Sequence, residues 1–92
     1  MRIRWTQPAA RDLTNICDHI HQQATPATAR RVALLIYRSA GSLHKFPYRG
    51  RPGRKPDTRE LVLTNLPYVV IYRVRENVVE IIRILHGAQN WP

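Results

Sequence analysis

Tyr68-Val69-Val70-Ile71-Tyr72-Arg73-Val74-Arg75-Glu76-Asn77-Val78-Val79-Glu80-Ile81-Ile82-Arg83-Ile84-Leu85-His86 is the stretch that decides the fold. It is rich in β-branched and aromatic residues, which suit a pleated surface, and Glu76-Asn77 interrupts it with a two-residue hairpin turn. With that turn Arg75 pairs with Val78, and the register sets Arg73 opposite Glu80, Ile71 opposite Ile82 and Val69 opposite Ile84. One face then carries Tyr68, Val70, Tyr72, Val74, Val79, Ile81, Arg83 and Leu85, and is expected to lie under helices. The other face shows Val69, Ile71, Ile82 and Ile84 inside a rim of Arg73, Arg75, Glu80 and His86. An apolar centre ringed by charge marks an interaction surface, and a partner chain is the economical cover for it.

Working outward, Arg59 to Thr64 reads as a further strand, joined to the hairpin by a turn at Asn65-Leu66-Pro67. Before it, Pro47 to Asp57 holds neither the helical nor the strand period, and its prolines and glycines make it a loop. Two amphipathic helices precede the loop. Thr6 caps the first, with Pro8 in its opening turn, and Ala10, Leu13, Ile16, Cys17 and Ile20 form its apolar stripe through about Gln23. Thr25-Pro26 repeats the start signal, and Ala29, Val32, Ala33, Ile36, Ala40 and Leu43 form a second stripe ending near His44. Trp5 sits where it can staple the first turn. Residues 2–5 alternate as a short strand. The expected fold is a single α+β domain over residues 1–92, ordered β-α-α-β-β-β. A helical hairpin packs on one face of a mainly antiparallel four-stranded sheet.

Composition narrows the function. Fifteen Lys and Arg against six Asp and Glu give a net charge of +9 on 92 residues, and the cations are Arg apart from Lys45 and Lys55. Guanidinium groups suit phosphates and carboxylates, so the expected partner is a nucleic acid, a ribosome or an acidic protein. A solvated basic surface is the plain alternative. Cys17 alone makes no internal disulfide, and His19, His21, His44 and His86 lack ligand spacing, so no metal or other cofactor is expected. The charged residues 2–4 are followed by Gln7, Pro8, Arg11 and Asp12, which leaves no signal-peptide core. No apolar run reaches the roughly 20 residues of a membrane span. A cytoplasmic protein without membrane contact is expected.

Gly50-Arg51-Pro52-Gly53-Arg54, Thr58-Arg59-Glu60-Leu61-Val62, Leu66-Pro67-Tyr68-Val69-Val70-Ile71-Tyr72-Arg73-Val74 and Ile82-Arg83-Ile84-Leu85-His86-Gly87-Ala88-Gln89-Asn90-Trp91-Pro92 together resemble the RelE/ParE superfamily of toxins. Trp5, Ala9, Ala10, Asp12, Leu13 and Ile16 fit the same pattern. The resemblance implies a growth-arresting toxin of a type II toxin–antitoxin module, neutralised by a cognate antitoxin that wraps an acidic or amphipathic segment around it. RelE-like members cut messenger RNA in the ribosome without a metal; ParE-like members inhibit DNA gyrase. RelE-like relatives carry Arg where Val69 stands here, and valine neither holds a phosphate nor moves a proton. Ile71-Tyr72-Arg73-Val74 and Ile82-Arg83-Ile84-Leu85-His86 are closer to ParE, so gyrase inhibition is the expected activity and messenger-RNA cleavage the alternative. An inactive relative that only binds a partner is a third reading.

If the chain is a nuclease, His86, Arg73 and Arg83 are its catalytic candidates, His86 because its ordinary pKa lies near neutrality. Arg83, on an otherwise apolar face, needs a carboxylate partner, with Asp12 or Glu60 in reach; Arg73 facing Glu80 reads equally as a cross-strand ion pair. Target or antitoxin contact is expected from the loop cations Arg49, Arg51, Arg54, Lys55 and Arg59, and from Val69, Ile71, Ile82 and Ile84. Tyr68 and Tyr72 read as buried residues with a polar tip, and Trp91 as a plug for the end of the core.

Overall fold

The computed structural model describes residues 1–87, so the expectation for Trp91 lies outside the described residues. β1 (Arg2–Trp5) leads into α1 (Gln7–Gln23) and α2 (Pro26–Gly41), and a short 3₁₀ turn over Ser42–His44 follows. Then come β2 (Arg51–Pro52), β3 (Arg59–Val62), β4 (Tyr68–Arg75) and β5 (Val78–His86). Both helices start as their sequence dictates. The Thr6 hydroxyl accepts from the Ala9 N–H at 3.3 Å and the Thr25 hydroxyl from the Thr28 N–H at 3.1 Å, each with a proline in the first turn.

The sheet has five strands rather than four, in the order β1-β5-β4-β3-β2. The extra member is β2, two residues from the segment read as loop, paired antiparallel with β3. Pro52 is tolerated there because an edge strand can do without its N–H. β1 runs parallel to β5, and the other pairings are antiparallel. The helices cover one face. Ala9 of α1 and Val32, Ile36 and Ala40 of α2 pack with Leu43 on Leu61, Val70, Tyr72, Val79, Ile81 and Ile84. Ala9, not Ala10, opens the buried stripe of α1. Trp5 packs against this core and stacks on Tyr37 of α2, with ring centroids 5.8 Å apart.

The hairpin turn forms as its sequence demands, with Glu76 at φ 53° and Asn77 at φ 63°, both left-handed. Arg75 pairs with Val78, Arg73 with Glu80 and Tyr72 with Ile81. There the register shifts. Ile71 pairs with Arg83, not Ile82, and Val69 with Leu85, not Ile84. Ile82 is the extra residue of a β-bulge, which exchanges the faces for everything beyond it. Ile84 therefore enters the core at 2% exposure, while Leu85 moves to the far face beside Val69.

The first turns of α1 hold the bulge. The Thr6 hydroxyl lies 2.8 Å from the Ile81 carbonyl and 3.1 Å from that of Ile82, donating to this pair of oxygens. Asp12 accepts from Arg83 Nε at 2.7 Å and Nη2 at 3.0 Å, and from the Ile84 N–H at 2.9 Å. Of the two carboxylates in question, Asp12 is thus the partner of Arg83. One side chain satisfies a guanidinium and an outward-facing strand N–H beyond the end of β1.

A second constraint joins the loop to the core. The Tyr72 hydroxyl, on a fully buried ring, accepts from the Gly50 N–H at 2.8 Å. A Cβ at position 50 would meet Tyr72 Oη at 2.7 Å and the Glu60 carbonyl at 2.9 Å, so only glycine fits. Gly50→Ala is expected to lower stability by about 1–3 kcal/mol, an overpacking cost, seen as a reduced urea midpoint at unchanged m-value. Asp12→Ala is expected to cost more than Arg83→Met. The first leaves both the Ile84 N–H and a part-buried guanidinium unpaired, about 2–4 kcal/mol; the second leaves Asp12 its bond to Ile84. Equal losses in urea melts would contradict the role given to the Ile84 bond.

Candidate functional site

The sheet face away from the helices is built from paired rows. Arg51, Glu60, Ile71 and Arg83 occupy one row across β2, β3, β4 and β5, and Val62, Val69 and Leu85 the next. Ile71 and Leu85 are buried even though the core lies on the other side. Arg51, Arg54, Glu60 and His86 stand around Val69, Ile71 and Leu85 and enclose a hollow of about 40 Å³. Ligand pockets run to roughly 300–1,000 Å³, so this hollow admits a water or one polar group rather than a nucleotide.

A carboxylate stands at its rim. Glu60 is 6% exposed; its Oε1 accepts from Arg51 Nε at 3.3 Å and Nη2 at 3.0 Å, and its Oε2 from the Arg54 N–H at 3.3 Å. Farther along the face Glu80, 7% exposed, pairs with Arg4 from β1 and accepts from Arg73 Nε at 2.7 Å. Arg73 is thus the cross-strand ion pair the sequence offered as its plainer reading. On β5, the bonds to Asp12 push the Arg83 guanidinium above its already high ordinary pKa, outweighing burial, which pulls the other way.

His86 lies at the far end of β5, paired with Tyr68 and meeting its ring edge-on at 5.8 Å between centroids. Burial raises the Tyr68 phenol above its ordinary 10.0. Arg73 lies five residues along β4 from Tyr68, roughly 17 Å at the strand rise, so His86 and Arg73 cannot reach one phosphate together. The structure therefore leaves Arg51 and Arg54 over Val69 and Ile71. The bulge turns His86, expected on that face, to the helix side beside Tyr68, near Asp12, Asn15 and His19 of α1. The structure separates His86 from Arg73 and commits Arg83 to α1. Ile84 belongs to the core, and Ile82 is half-buried at the bulge.

The remaining cations lie at the two ends of the segment and at its tip. Arg49 Nη1 donates to the Ser42 hydroxyl at 3.0 Å. Arg59 Nε donates to the Gly50 carbonyl at 3.0 Å and Nη2 to the Tyr48 carbonyl at 3.1 Å, and its guanidinium lies 5.3 Å above the Tyr48 ring. Lys55 is exposed, and its carbonyl accepts from the Thr58 N–H and hydroxyl, closing the tip of the loop. Sequence reasoning did not assign Glu60 to Arg51, nor single out exposed Phe46 and Tyr48. The acidic residue nine positions from a loop arginine gave a signal for the first only once β2 was known to pair with β3. Among the described residues no group of His, Cys, Asp and Glu could hold a metal, and no helix is long and apolar enough to cross a membrane.

Residues 3–91 match the family model described as ParE toxin of type II toxin-antitoxin system, parDE. The chain is 43% identical over 91 residues to the Sinorhizobium fredii protein Y4kP, named as a candidate toxin, spanning 99% of this chain and 93% of that one. It is 42% identical over 88 residues to Toxin RelE2 of Caulobacter vibrioides, spanning 96% and 97%. Among solved structures it is similar to a chain of the chromosomal ParDE system from P. aeruginosa. The TM-score there is 0.87 at 31% identity, over 94% of this chain and 95% of that one. A chain of the toxin–antitoxin complex RelBE2 from Mycobacterium tuberculosis matches with a TM-score of 0.59 at 26% identity, over 92% and 95%. A helical hairpin on a five-stranded mixed sheet, matched nearly end to end by these relatives, makes this chain a member of the ParE toxin family of type II toxin–antitoxin systems.

Proposed function

We propose that this toxin arrests growth by binding and inhibiting DNA gyrase in the cytoplasm, without cutting RNA. The observation that carries the reading is the commitment of the sheet arginines. Metal-free cleavage by a neighbouring 2′-hydroxyl needs cations on the phosphate and a proton-transfer group converging on one point. Here Arg73 is held by Glu80, Arg83 by Asp12 and Arg51 by Glu60, and Val69 stands where a nuclease would need a cation. A buried carboxylate beside the hollow repels the anion such a reaction would bring. Inhibition by binding needs none of these groups. The closer structural likeness to a ParDE chain than to a RelBE2 chain supports the same choice.

Ribosome-dependent cleavage of messenger RNA is the second reading. The observation favouring it is that Arg51 and Arg54 stand near the end of β5 that carries His86, the one acid–base candidate there, although its ring packs on Tyr68 rather than beside them. In either case the neutralising partner is a cognate antitoxin. A net charge of +9 favours an acidic segment, and the toxin-antitoxin systems among the structural relatives support such a partner.

Brief induction of the toxin followed by two measurements separates the readings. Loss of plasmid supercoiling with intact translated messages, retained in His86→Ala, is the expected result. Codon-linked cuts in messages with normal supercoiling, abolished in His86→Ala, would replace gyrase inhibition with cleavage.

A further inference from the structure

Past Leu43 the chain leaves the core and exposes two aromatic rings. Phe46 is 62% exposed and Tyr48 63%. Burying an aromatic side chain gives about 1.5–3 kcal/mol, so leaving two of them in water on a small protein is costly. The segment is also ordered by specific bonds. The Lys45 and Phe46 N–H groups both donate to the Ser42 carbonyl, at 3.2 and 3.3 Å, and the Arg49 N–H donates to the Phe46 carbonyl at 3.2 Å. Phe46-Pro47-Tyr48-Arg49 is thus a hydrogen-bonded β-turn with proline at its second position, where the fixed φ favours it. Arg59 reaches back from β3 to hold the Tyr48 carbonyl and lies over one face of the ring. The turn is anchored, and its rings are presented without the ordering cost a flexible loop would pay on binding.

Charge around this turn differs from charge on the sheet. The four arginines of the sheet's ion pairs (Arg4, Arg51, Arg73 and Arg83) face carboxylates. Arg49 and Arg59 instead bond a hydroxyl and backbone carbonyls, which orient the guanidinium and leave its charge intact. No Asp or Glu occurs between Asp18 and Asp57 in the sequence, so the rings sit in the middle of an acid-free, cationic run. From this pairing of open aromatic rings with unneutralised guanidiniums, we infer that the turn over residues 45–49, with Arg59, is a binding site for single-stranded nucleic acid. Unpaired bases stack on Phe46 and Tyr48, and the adjacent phosphates meet Lys45 and Arg49. A duplex keeps its base faces inside the stack and offers the rings nothing, so the site discriminates by strandedness. An acidic protein segment would meet the same cations, but two exposed ring faces beside them suit the flat faces of unpaired bases. The site lies apart from the sheet hollow and does not depend on how the toxin meets gyrase.

The test is fluorescence anisotropy of the purified full chain with labelled oligo-dT, oligo-rU and a duplex of the same length. Single strands are expected to bind more tightly than the duplex at equal salt. Phe46→Ala and Tyr48→Ala should each weaken single-strand binding about five- to tenfold without altering its salt slope. Arg49→Ala should reduce that slope by about 0.7. Binding of either the deoxy or the ribo strand with these properties supports the site, and the tighter one identifies the source. Phe46→Ala makes no contact that Arg59 relies on, so it tests the proposal even if Tyr48→Ala disturbs the loop. Unchanged affinity in Phe46→Ala with folding intact, or a duplex held as tightly as the single strand, would overturn it; a protein partner at the turn would then be indicated.

Discussion

One extra residue in β5 organises this molecule. Without the bulge at Ile82, a hairpin beginning at Arg75 and Val78 would carry Arg83 under the helices and Ile84 to the opposite surface. With it, Ile84 fills the core between the helices and β4, and Leu85 joins Val69 and Ile71 on the other face. The bulge is not free to slide, because α1 grips it at two places. Thr6 donates to the carbonyls on one side of the extra residue, and Asp12 accepts from the N–H and guanidinium on the other. A residue that caps a helix and one a turn and a half further on therefore set the register of a strand more than seventy residues away.

The acidic residues are used sparingly, and half of them lie inside. Asp12, Glu60 and Glu80 lie buried or half-buried against Arg83, Arg51, and Arg4 with Arg73. Such pairs contribute little net stability over apolar residues of the same shape, but removing one partner leaves the other stranded. Each of the three joins two elements: Asp12 ties α1 to β5, Glu60 ties β2 to β3, and Glu80 ties β1, β5 and β4 together. Half of the acid supply is spent on strand order, and much of the positive charge left over lies on α2 and the loop after it.

The parts of this arrangement legible in the sequence were those encoded locally. Thr6 and Thr25 announce their helices through cap and proline chemistry, and Glu76-Asn77 announces its turn. Arg73 facing Glu80 follows from that turn because it lies before the bulge. Asp12 and Glu60 could both be named for Arg83 because an arginine in an apolar run demands a carboxylate, and only the fold chooses Asp12. The bulge itself could not be read. In Ile81-Ile82-Arg83-Ile84-Leu85 nearly every residue suits either face, so inserting one leaves no break in the alternation. β2 was hidden for a different reason: Arg51-Pro52 has no strand propensity, and it pairs only because Glu60 and the Gly50–Tyr72 bond hold it beside β3. Phe46 and Tyr48 escaped notice because they follow no period.

These constraints bear on what kind of toxin the fold can support. Catalysis on a phosphate needs cations held in place yet not neutralised, and on the sheet the two requirements conflict. Arg4, Arg51, Arg73 and Arg83 are held in place there by carboxylates, and these pairs tie the strands together. Freeing Arg73 or Arg83 for chemistry would strand Glu80 or Asp12 and loosen the register of β5. The loop resolves the conflict differently, since hydroxyl and carbonyl acceptors orient Arg49 and Arg59 without cancelling their charge. Both kinds of contact fix the fold, but only the neutral oxygens that hold Arg49 and Arg59 leave the guanidinium charge uncancelled.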